Sequence, residues 1–293
     1  MSRPRRLLVA LAFVAIAISF FLPLVRAQET RLRVMTWNVR FDFEDDGENR
    51  WARRKEAVAK TISASGASIV TIQEDKEDQI EDLQGLLPDY GFAGRGRNAN
   101  GSGERCSVLY HKRHLALVDS GSLWLSDTPD EPGSRMEGDE YPRVVTWALL
   151  RTGSGKRILA LSAHFPEGDD EARRAKAAGI LADWLARRLE IKRAGQPPSL
   201  VVVLAGDFNS DAGVESHGVL VERLTLRDAW DEAKPRGMPG TYNGFEGLRT
   251  KKRIDWILAG GPVRVVEAGK IEEKVDGRWP SDHYPVWADI EVR

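Results

Sequence analysis

Polar side chains able to do acid–base or metal chemistry lie at the ends of short apolar runs of this sequence. The apolar run 201–206 leads directly into Asp207 and, two residues later, Asn209. A carboxylate can accept a proton from water, and an amide can hold that water or an anionic oxygen. Apolar runs also lead into Asn38, Glu74 and His164, whereas Asp255 and the adjacent pair Asp282 and His283 stand just before such runs.

Each of these residues has a structural explanation when it is taken alone. Asn38 could cap a turn, Asp207 and Asn209 could form an Asx turn after a strand, and His283 could be a core imidazole. A purely structural origin for all of them would require several coincidences of residue type and position. Since ligands collect at strand ends in open α/β sheets, the joint pattern favours one shared site.

The elements that must position these side chains alternate along the chain. Amphipathic segments predict helices at residues 51–65, 79–87 and 171–193. In the longest of them, Ala177, Leu181 and Leu185 recur at helical spacing. Strands that alternate with helices indicate a layered α/β domain. The predicted strands cover residues 32–38, 68–73, 107–110, 144–149, 157–164, 200–205, 253–258 and 284–291.

Composition and charge are those of an ordinary folded protein. Of the 293 residues, 42% are hydrophobic and 30% are charged, and the formal net charge is -1. A chain without a basic excess is poorly suited to a long, non-specific grip on nucleic acid, although a small phosphate pocket is compatible with it. The single cysteine, Cys106, lies in an apolar run and is predicted to be a buried structural thiol.

The N-terminal residues have the pattern of a targeting segment. Arg3, Arg5 and Arg6 precede an apolar stretch over residues 7–25, and Ala27 follows it. This pattern predicts a signal peptide at residues 1–27, a mature domain at 28–293 and an exported protein, periplasmic or secreted. The alternative is an uncleaved membrane anchor, because the apolar stretch approaches the about 20 residues that span a bilayer.

The motifs that carry these residues resemble the endonuclease/exonuclease/phosphatase superfamily of metal-dependent phosphoesterases, over residues 32–292 and in the family's order. The resemblance implies an α/β (α+β) fold, a four-layer sandwich of two mixed β-sheets packed face to face with helices outside. It departs from the family at Arg40 and Ser162, where many relatives carry an acid and an asparagine. The matching motifs are Thr36-Trp37-Asn38, Gln73-Glu74, Ser162-Ala163-His164, Gly206-Asp207-Phe208-Asn209, Arg253-Ile254-Asp255-Trp256 and Ser281-Asp282-His283.

The resemblance also implies roles for these residues in the hydrolysis of a phosphate ester by activated water. Carboxylate and amide oxygens suit Mg²⁺ or Mn²⁺, and the metal ligands are expected to be Asn38, Glu74 and Asp282. Asp207 is expected to accept the proton of the attacking water, and Asn209 is expected to hold that water or a phosphate oxygen. His164 is expected to donate to a non-bridging phosphate oxygen. Asp255 and His283 form an expected carboxylate–imidazole pair that favours imidazolium.

The substrate stays open between nucleic acid, a phospholipid headgroup and a small phosphorylated metabolite. Arg143 and Arg173 could bind its phosphate or form ordinary surface salt bridges. The alternative function is a catalytically inactive binding module that retains the fold. No obligate protein partner is expected, and we expect a monomer without stable membrane association once the signal is cleaved. His111, His114 and His217 have no supporting pattern and are predicted to be surface residues.

Overall fold

The computed structural model describes residues 30–293 except 194, 236 and 248. The predicted signal peptide at residues 1–27 therefore lies outside the described residues. Among the residues described, no helix is both long and apolar enough to cross a membrane.

Two six-stranded mixed sheets form the centre of the molecule. The first sheet has the order β11-β12-β1-β2-β4-β3, with β1 and β2 parallel, and the second has the order β5-β6-β7-β8-β10-β9, with β7 and β8 parallel. The strands are β1 (Thr30–Asn38), β2 (Ile69–Gln73), β3 (Tyr90–Ala93), β4 (Cys106–His111), β5 (Leu115–Trp124), β6 (Val144–Thr152), β7 (Arg157–His164), β8 (Val201–Asp207), β9 (Arg227–Asp228), β10 (Asp255–Gly260), β11 (Val263–Lys270) and β12 (Val286–Val292).

Helices cover the outer faces of both sheets. Apolar residues of α1 and α2 pack on the first sheet, and those of α3 and α4 pack on the second. The α3 helix ends at Arg188, earlier than predicted, because Glu190 adopts a left-handed backbone with φ of 53°. The helices are α1 (Lys55–Ser65), α2 (Glu77–Leu86), α3 (Glu171–Arg188), α4 (Glu215–Leu224) and α5 (Ala229–Ala233).

Strand alternation explains why the sheets pack on both faces. In β8, Val201 and Val203 point into the core between the two sheets, whereas Val202 and Leu204 pack under the helices. Because successive side chains of a strand point to opposite faces, a continuous apolar run fills both cores. The predicted four-layer sandwich is confirmed.

Two residues outside the candidate site also bear on the sequence predictions. Cys106 is 2% exposed, as predicted, and burial raises the pKa of its thiol well above the ordinary value. His217 was predicted at the surface, and this prediction is wrong. Its ring is buried in α4, where Nε2 lies 2.8 Å from Asp228 Oδ2. Arg253 contacts the same carboxylate at 2.9 Å, so the three side chains form a buried charged cluster.

Candidate active site

The strand ends bring the candidate residues to one region. Asn38 ends β1 and Glu74 follows β2, its parallel neighbour in the first sheet. In the second sheet, His164 ends β7 and is paired in register with Asp207 at the end of β8. Asp255 begins β10 directly opposite Asp207, because those two strands are antiparallel. The site therefore lies where matching ends of both sheets meet.

The backbone at these strand ends is unusual. Arg40, Glu74 and Asn209 all adopt a left-handed conformation, with φ values of 57°, 65° and 51°. Residues other than glycine rarely adopt this conformation, and such strain concentrates at functional sites. At Asn209 the turn is held by its own backbone N–H, which donates to Asp207 Oδ1 at 2.9 Å.

Asn38 links the two sheets at the centre of the site. Its side-chain nitrogen donates to Glu74 Oε1 at 2.9 Å and to Asp207 Oδ2 at 3.0 Å. Its side-chain oxygen accepts from the backbone N–H of Arg40 at 2.9 Å. The amide thus fixes the distance between a carboxylate of the first sheet and one of the second.

The imidazoles of His164 and His283 both lie near the carboxylate of Asp207. Its Oδ2 lies 3.7 Å from Nε2 of His164 and 3.7 Å from Nε2 of His283. Burial, and then the charge of Asp255, raise the pKa of Asp207 to about 6. A carboxylate with a pKa in that range can take up a proton near neutral pH.

The two imidazoles carry opposite pKa shifts. Burial opposes the charge on His283, but Asp255 and Asp207 outweigh it and raise the pKa of His283 well above the ordinary value. Its Nδ1 lies 2.9 Å from Asp255 Oδ2, which fixes the ring. Burial and the positive charge of Arg143 lower the pKa of His164 well below the ordinary value. The site therefore combines an imidazolium with a neutral imidazole.

His164 and Asn209 contact each other, which changes what each can do. Nδ2 of Asn209 lies 3.1 Å from Nε2 of His164 and 3.0 Å from the carbonyl oxygen of Phe165. The amide nitrogen is a donor, so a neutral His164 accepts at Nε2 in this geometry. Donation from Nε2 to a phosphate oxygen would require that this nitrogen first take up a proton, whereas the proton of the neutral ring is on Nδ1.

The acidic pair beside Asn38 suits a divalent cation. Burial, and then the negative charge of Asp282, raise the pKa of Glu74 to about 7. Asp282 is itself buried, and its Oδ1 accepts a hydrogen bond from Ser281 Oγ at 3.2 Å. Two carboxylates that repel each other in a largely desolvated site are stabilised by a bound cation, and oxygen donors are those that Mg²⁺ and Mn²⁺ prefer. The residues present therefore fit a divalent metal.

Two further residues support this arrangement: Ser162, which departs from the family pattern, and Arg54. Ser162 donates to the carbonyl oxygen of Ile72 and accepts from Nε2 of Gln73, both at 3.0 Å, so it joins the sheets beneath the site. Arg54, near the start of α1, is buried and donates to the carbonyl oxygens of Val39, Arg40 and Pro280. No motif marks Arg54. Its only signal in the sequence is a cation preceding an amphipathic helix.

The two candidate substrate arginines are not hydrogen-bonded to the central cluster in the part of the chain that the structure describes. Arg143 is buried, lines a small cavity together with His164, and donates to Glu167 Oε1 at 2.8 Å. Arg173 lies further along, 3.3 Å from Asp139 Oδ1. Among the predicted residues, the structure brings together Asn38, Glu74, His164, Asp207, Asn209, Asp255, Asp282 and His283.

A family model described as Endonuclease/Exonuclease/phosphatase family matches residues 35–283. The chain belongs to this family. Members of the endonuclease/exonuclease/phosphatase family are metal-dependent phosphoesterases, so the chain is a phosphoric ester hydrolase. The resemblance seen in the sequence is confirmed.

Solved structures of the family share the whole fold. A family protein from Bacteroides thetaiotaomicron is 25% identical, with a TM-score of 0.82, covering 91% of this chain and 96% of that one. The mannosyl-6-phosphatase of the same organism is 26% identical, with a TM-score of 0.79 and coverage of 88% and 99%. TDP2 from D. rerio, solved with a single-strand DNA product, is 16% identical, with a TM-score of 0.68 and coverage of 89% and 99%. At that identity the likeness to TDP2 shows the fold alone.

A curated relative matches over a short segment. Carbon catabolite repressor protein 4 homolog 5 of Arabidopsis thaliana is 34% identical over 70 residues, which are 24% of this chain. The match spans 15% of the length of the plant protein.

Proposed function

We propose that this hydrolase is an exported, Mg²⁺-dependent phosphatase that removes phosphate from a small phosphorylated sugar. The observation that carries the proposal is the buried Asp207 carboxylate held between His164 and His283, with Asn38 and Glu74 beside it. The sugar is supported by the likeness to a mannosyl-6-phosphatase, 26% identical over nearly all of both chains. A net charge of -1 also favours a small substrate over a long anionic strand.

In the proposed mechanism Asp207 is the general base. Its oxygen Oδ2, oriented by the amide of Asn38, accepts a proton from the attacking water, and the raised pKa makes it a stronger base than an ordinary carboxylate. Nε2 of His164 lies 3.7 Å from the same oxygen, and Asn209 fixes that ring through its side-chain amide.

His283 is the residue that stabilises the negative charge that develops in the transition state. Because Asp255 holds Nδ1, the proton on Nε2 is free to donate to a phosphoryl oxygen or to the leaving oxygen. The arrangement keeps a positive charge in a buried site, where it interacts with the transition state more strongly than it would in water.

Glu74, Asn38 and Asp282 would hold the metal, and Mg²⁺ is the ion we propose, with Mn²⁺ as the alternative. A bound divalent cation supplies positive charge for the phosphate oxygens. Since Nδ2 of Asn38 already donates to two carboxylates, its remaining contribution is through Oδ1. Glu74 and Asp282 would lose their mutual repulsion on binding the ion.

Export, a monomeric state and the absence of an obligate partner belong to the same proposal. They rest on the basic and apolar N-terminal pattern and on a domain that folds around its own cores. Mass spectrometry of protein expressed with residues 1–27 tests the export: a mature chain starting at Gln28 is expected. A chain that keeps residues 1–27 and sediments with membranes would contradict cleavage.

A substrate screen with and without EDTA tests the activity. We expect Mg²⁺-dependent release of phosphate from mannose 6-phosphate and from p-nitrophenyl phosphate. Activity confined to bis-p-nitrophenyl phosphate or single-stranded DNA would show a phosphodiesterase instead, and activity confined to sphingomyelin would show a lipid enzyme. Failure on all of these with Mg²⁺ and Mn²⁺ would support an inactive binding module.

A further inference from the structure

A second cavity, of about 430 Å³, shares Arg143 with the small cavity that contains His164. We call it the side cavity. It is formed by the loop before β6 and by the segment between β7 and the start of α3. Its chemically informative walls are Asp139, Glu140, Tyr141, Arg143, Glu167 and Arg173.

Arg143 connects the side cavity to the catalytic histidine. It lines the side cavity, and it also lines the small cavity that contains His164. It is close enough to His164 for its charge to lower the pKa of that imidazole. A substrate whose phosphate lies at His164 would therefore have a path for its remaining atoms past Arg143.

Two side chains that line the side cavity have polar atoms without a hydrogen-bond partner among the described residues. Asp139 and Arg143 are 8% and 7% exposed, and Asp139 Oδ2 and Arg143 Nη1 are buried without a hydrogen-bond partner among the described residues. Their other atoms are engaged, Asp139 Oδ1 with Arg173 at 3.3 Å and Arg143 Nη2 with Glu167 at 2.8 Å. Native structures rarely leave such atoms unpaired, so a polar group that enters from solvent or from a substrate is expected to pair them.

The chemistry of the walls selects a class of ligand. One orphan atom is an acceptor and the other a donor, and a hydroxyl group is the ligand group that serves both. The three carboxylates Asp139, Glu140 and Glu167 outnumber the guanidinium groups of Arg143 and Arg173, which disfavours a second phosphate.

We propose that the side cavity is the subsite for the polyhydroxylated, uncharged part of the substrate, with Asp139 accepting from one sugar hydroxyl and Arg143 donating to another. This inference rests on the proposed phosphatase function and names the groups by which the enzyme distinguishes a sugar phosphate from other monoesters. Glu167 and Arg173 hold Arg143 and Asp139 in place.

The test compares two monoesters on the same variant. For Asp139→Asn, kcat/KM is measured for mannose 6-phosphate and for p-nitrophenyl phosphate, which carries no sugar hydroxyls. We expect the ratio of the two values to fall about tenfold, mainly through a higher KM for the sugar phosphate, because a hydrogen bond to a charged acceptor is lost. Asp276→Asn is the matched control, since it removes a carboxylate from a different cavity, and it should leave the ratio as in the parent.

A parallel variant keeps the inference falsifiable. Glu167→Gln alters a side chain that is 70% exposed and so leaves folding intact, but it loosens Arg143; it should lower the same ratio. An unchanged ratio in both variants, or in Glu167→Gln alone if Asp139→Asn does not fold, would overturn the subsite. Loss of phosphate release from every monoester by the parent enzyme would instead overturn the phosphatase function.

Discussion

The side-chain amide of Asn38 and the carboxylate–imidazole pair of Asp255 and His283 determine most of what this site can do. The amide fixes the position of Asp207 relative to Glu74, and Asp255 raises the pKa of His283, which favours its charged form. The residue types could be proposed from the sequence because each stands at the end of an apolar run. The contact between Asn209 and His164 could not, because it depends on a left-handed turn at Asn209 and on the register of two separate strands.

Removing the base or the imidazolium should abolish most of the turnover. We expect Asp207→Ala and His283→Ala each to lower kcat by about 10²-fold or more, because each removes a group that acts in the transition state. Steady-state kinetics on p-nitrophenyl phosphate measures the effect, and circular dichroism checks the fold. His114→Ala, at an exposed histidine, is the control and should keep parental kcat. Parental turnover in either folded active-site variant would contradict its role.

The pair of Asp255 and His283 gives a prediction for pH dependence. Burial opposes the charge on His283, and Asp255 is the first of the groups that raise its pKa. A raised pKa keeps the imidazolium present up to higher pH, so Asp255→Asn should move the alkaline fall of kcat to lower pH. Profiles of kcat between pH 6 and 10 measure this shift. An alkaline limb at the parental position would show that His283 does not act as an acid.

At the scale of elements, the predicted strands are the ones that lie inside the sheets. The four strands missing from the prediction, β3, β5, β9 and β11, are the edge strands of the two sheets. Edge strands are short or partly solvated, so their apolar pattern is interrupted; β5 contains Asp119, Ser120, Gly121 and Ser122. The strands that carry the candidate catalytic residues could be predicted because they are inner strands, and an inner strand buried on both faces is a continuous apolar run.

The close approach of β7 and β8 beneath the site gives a prediction for stability. A Cβ added at Gly206 would lie 1.9 Å from the carbonyl oxygen of Ala163, in the neighbouring strand. Because backbone cannot move aside cheaply, Gly206→Ala should lower the free energy of unfolding by about 3 kcal/mol or more. The same change at Gly218, in α4, meets no atom within 4 Å and should raise it by about 1 kcal/mol. Urea unfolding compares them, and equal stabilities would contradict the steric argument.

At the scale of the whole molecule, the proposed cation site joins both halves of the sandwich. Glu74 follows a strand of the first sheet and is linked through Asn38 to Asp207 of the second. A ligand that binds the folded state alone stabilises it by mass action. The arrangement of two sheets and outer helices could be predicted from the family resemblance. The ion pair of Arg40 with Asp46, which lies near the carboxylates of Glu74 and Asp282, could not be predicted.

Metal binding should therefore be visible as thermal stability. Mg²⁺ or Mn²⁺ at about 100 times its Kd should add about 2.7 kcal/mol to the free energy of unfolding, raising Tm by roughly 5 °C. In Glu74→Gln the rise should require more metal, because one carboxylate ligand is lost. Scanning fluorimetry with metal and with EDTA measures both. Identical metal titrations for parent and variant would argue against Glu74 as a ligand.

The buried thiol of Cys106 has a practical consequence. With one cysteine in the sequence, no cross-link within the chain supports the fold, so reducing agents should leave the folded enzyme intact. A thiol that is 2% exposed and whose pKa is raised reacts slowly with alkylating reagents until the first sheet opens. The rate of maleimide labelling at this one position thus reports how often the native domain opens, without the need to introduce a probe.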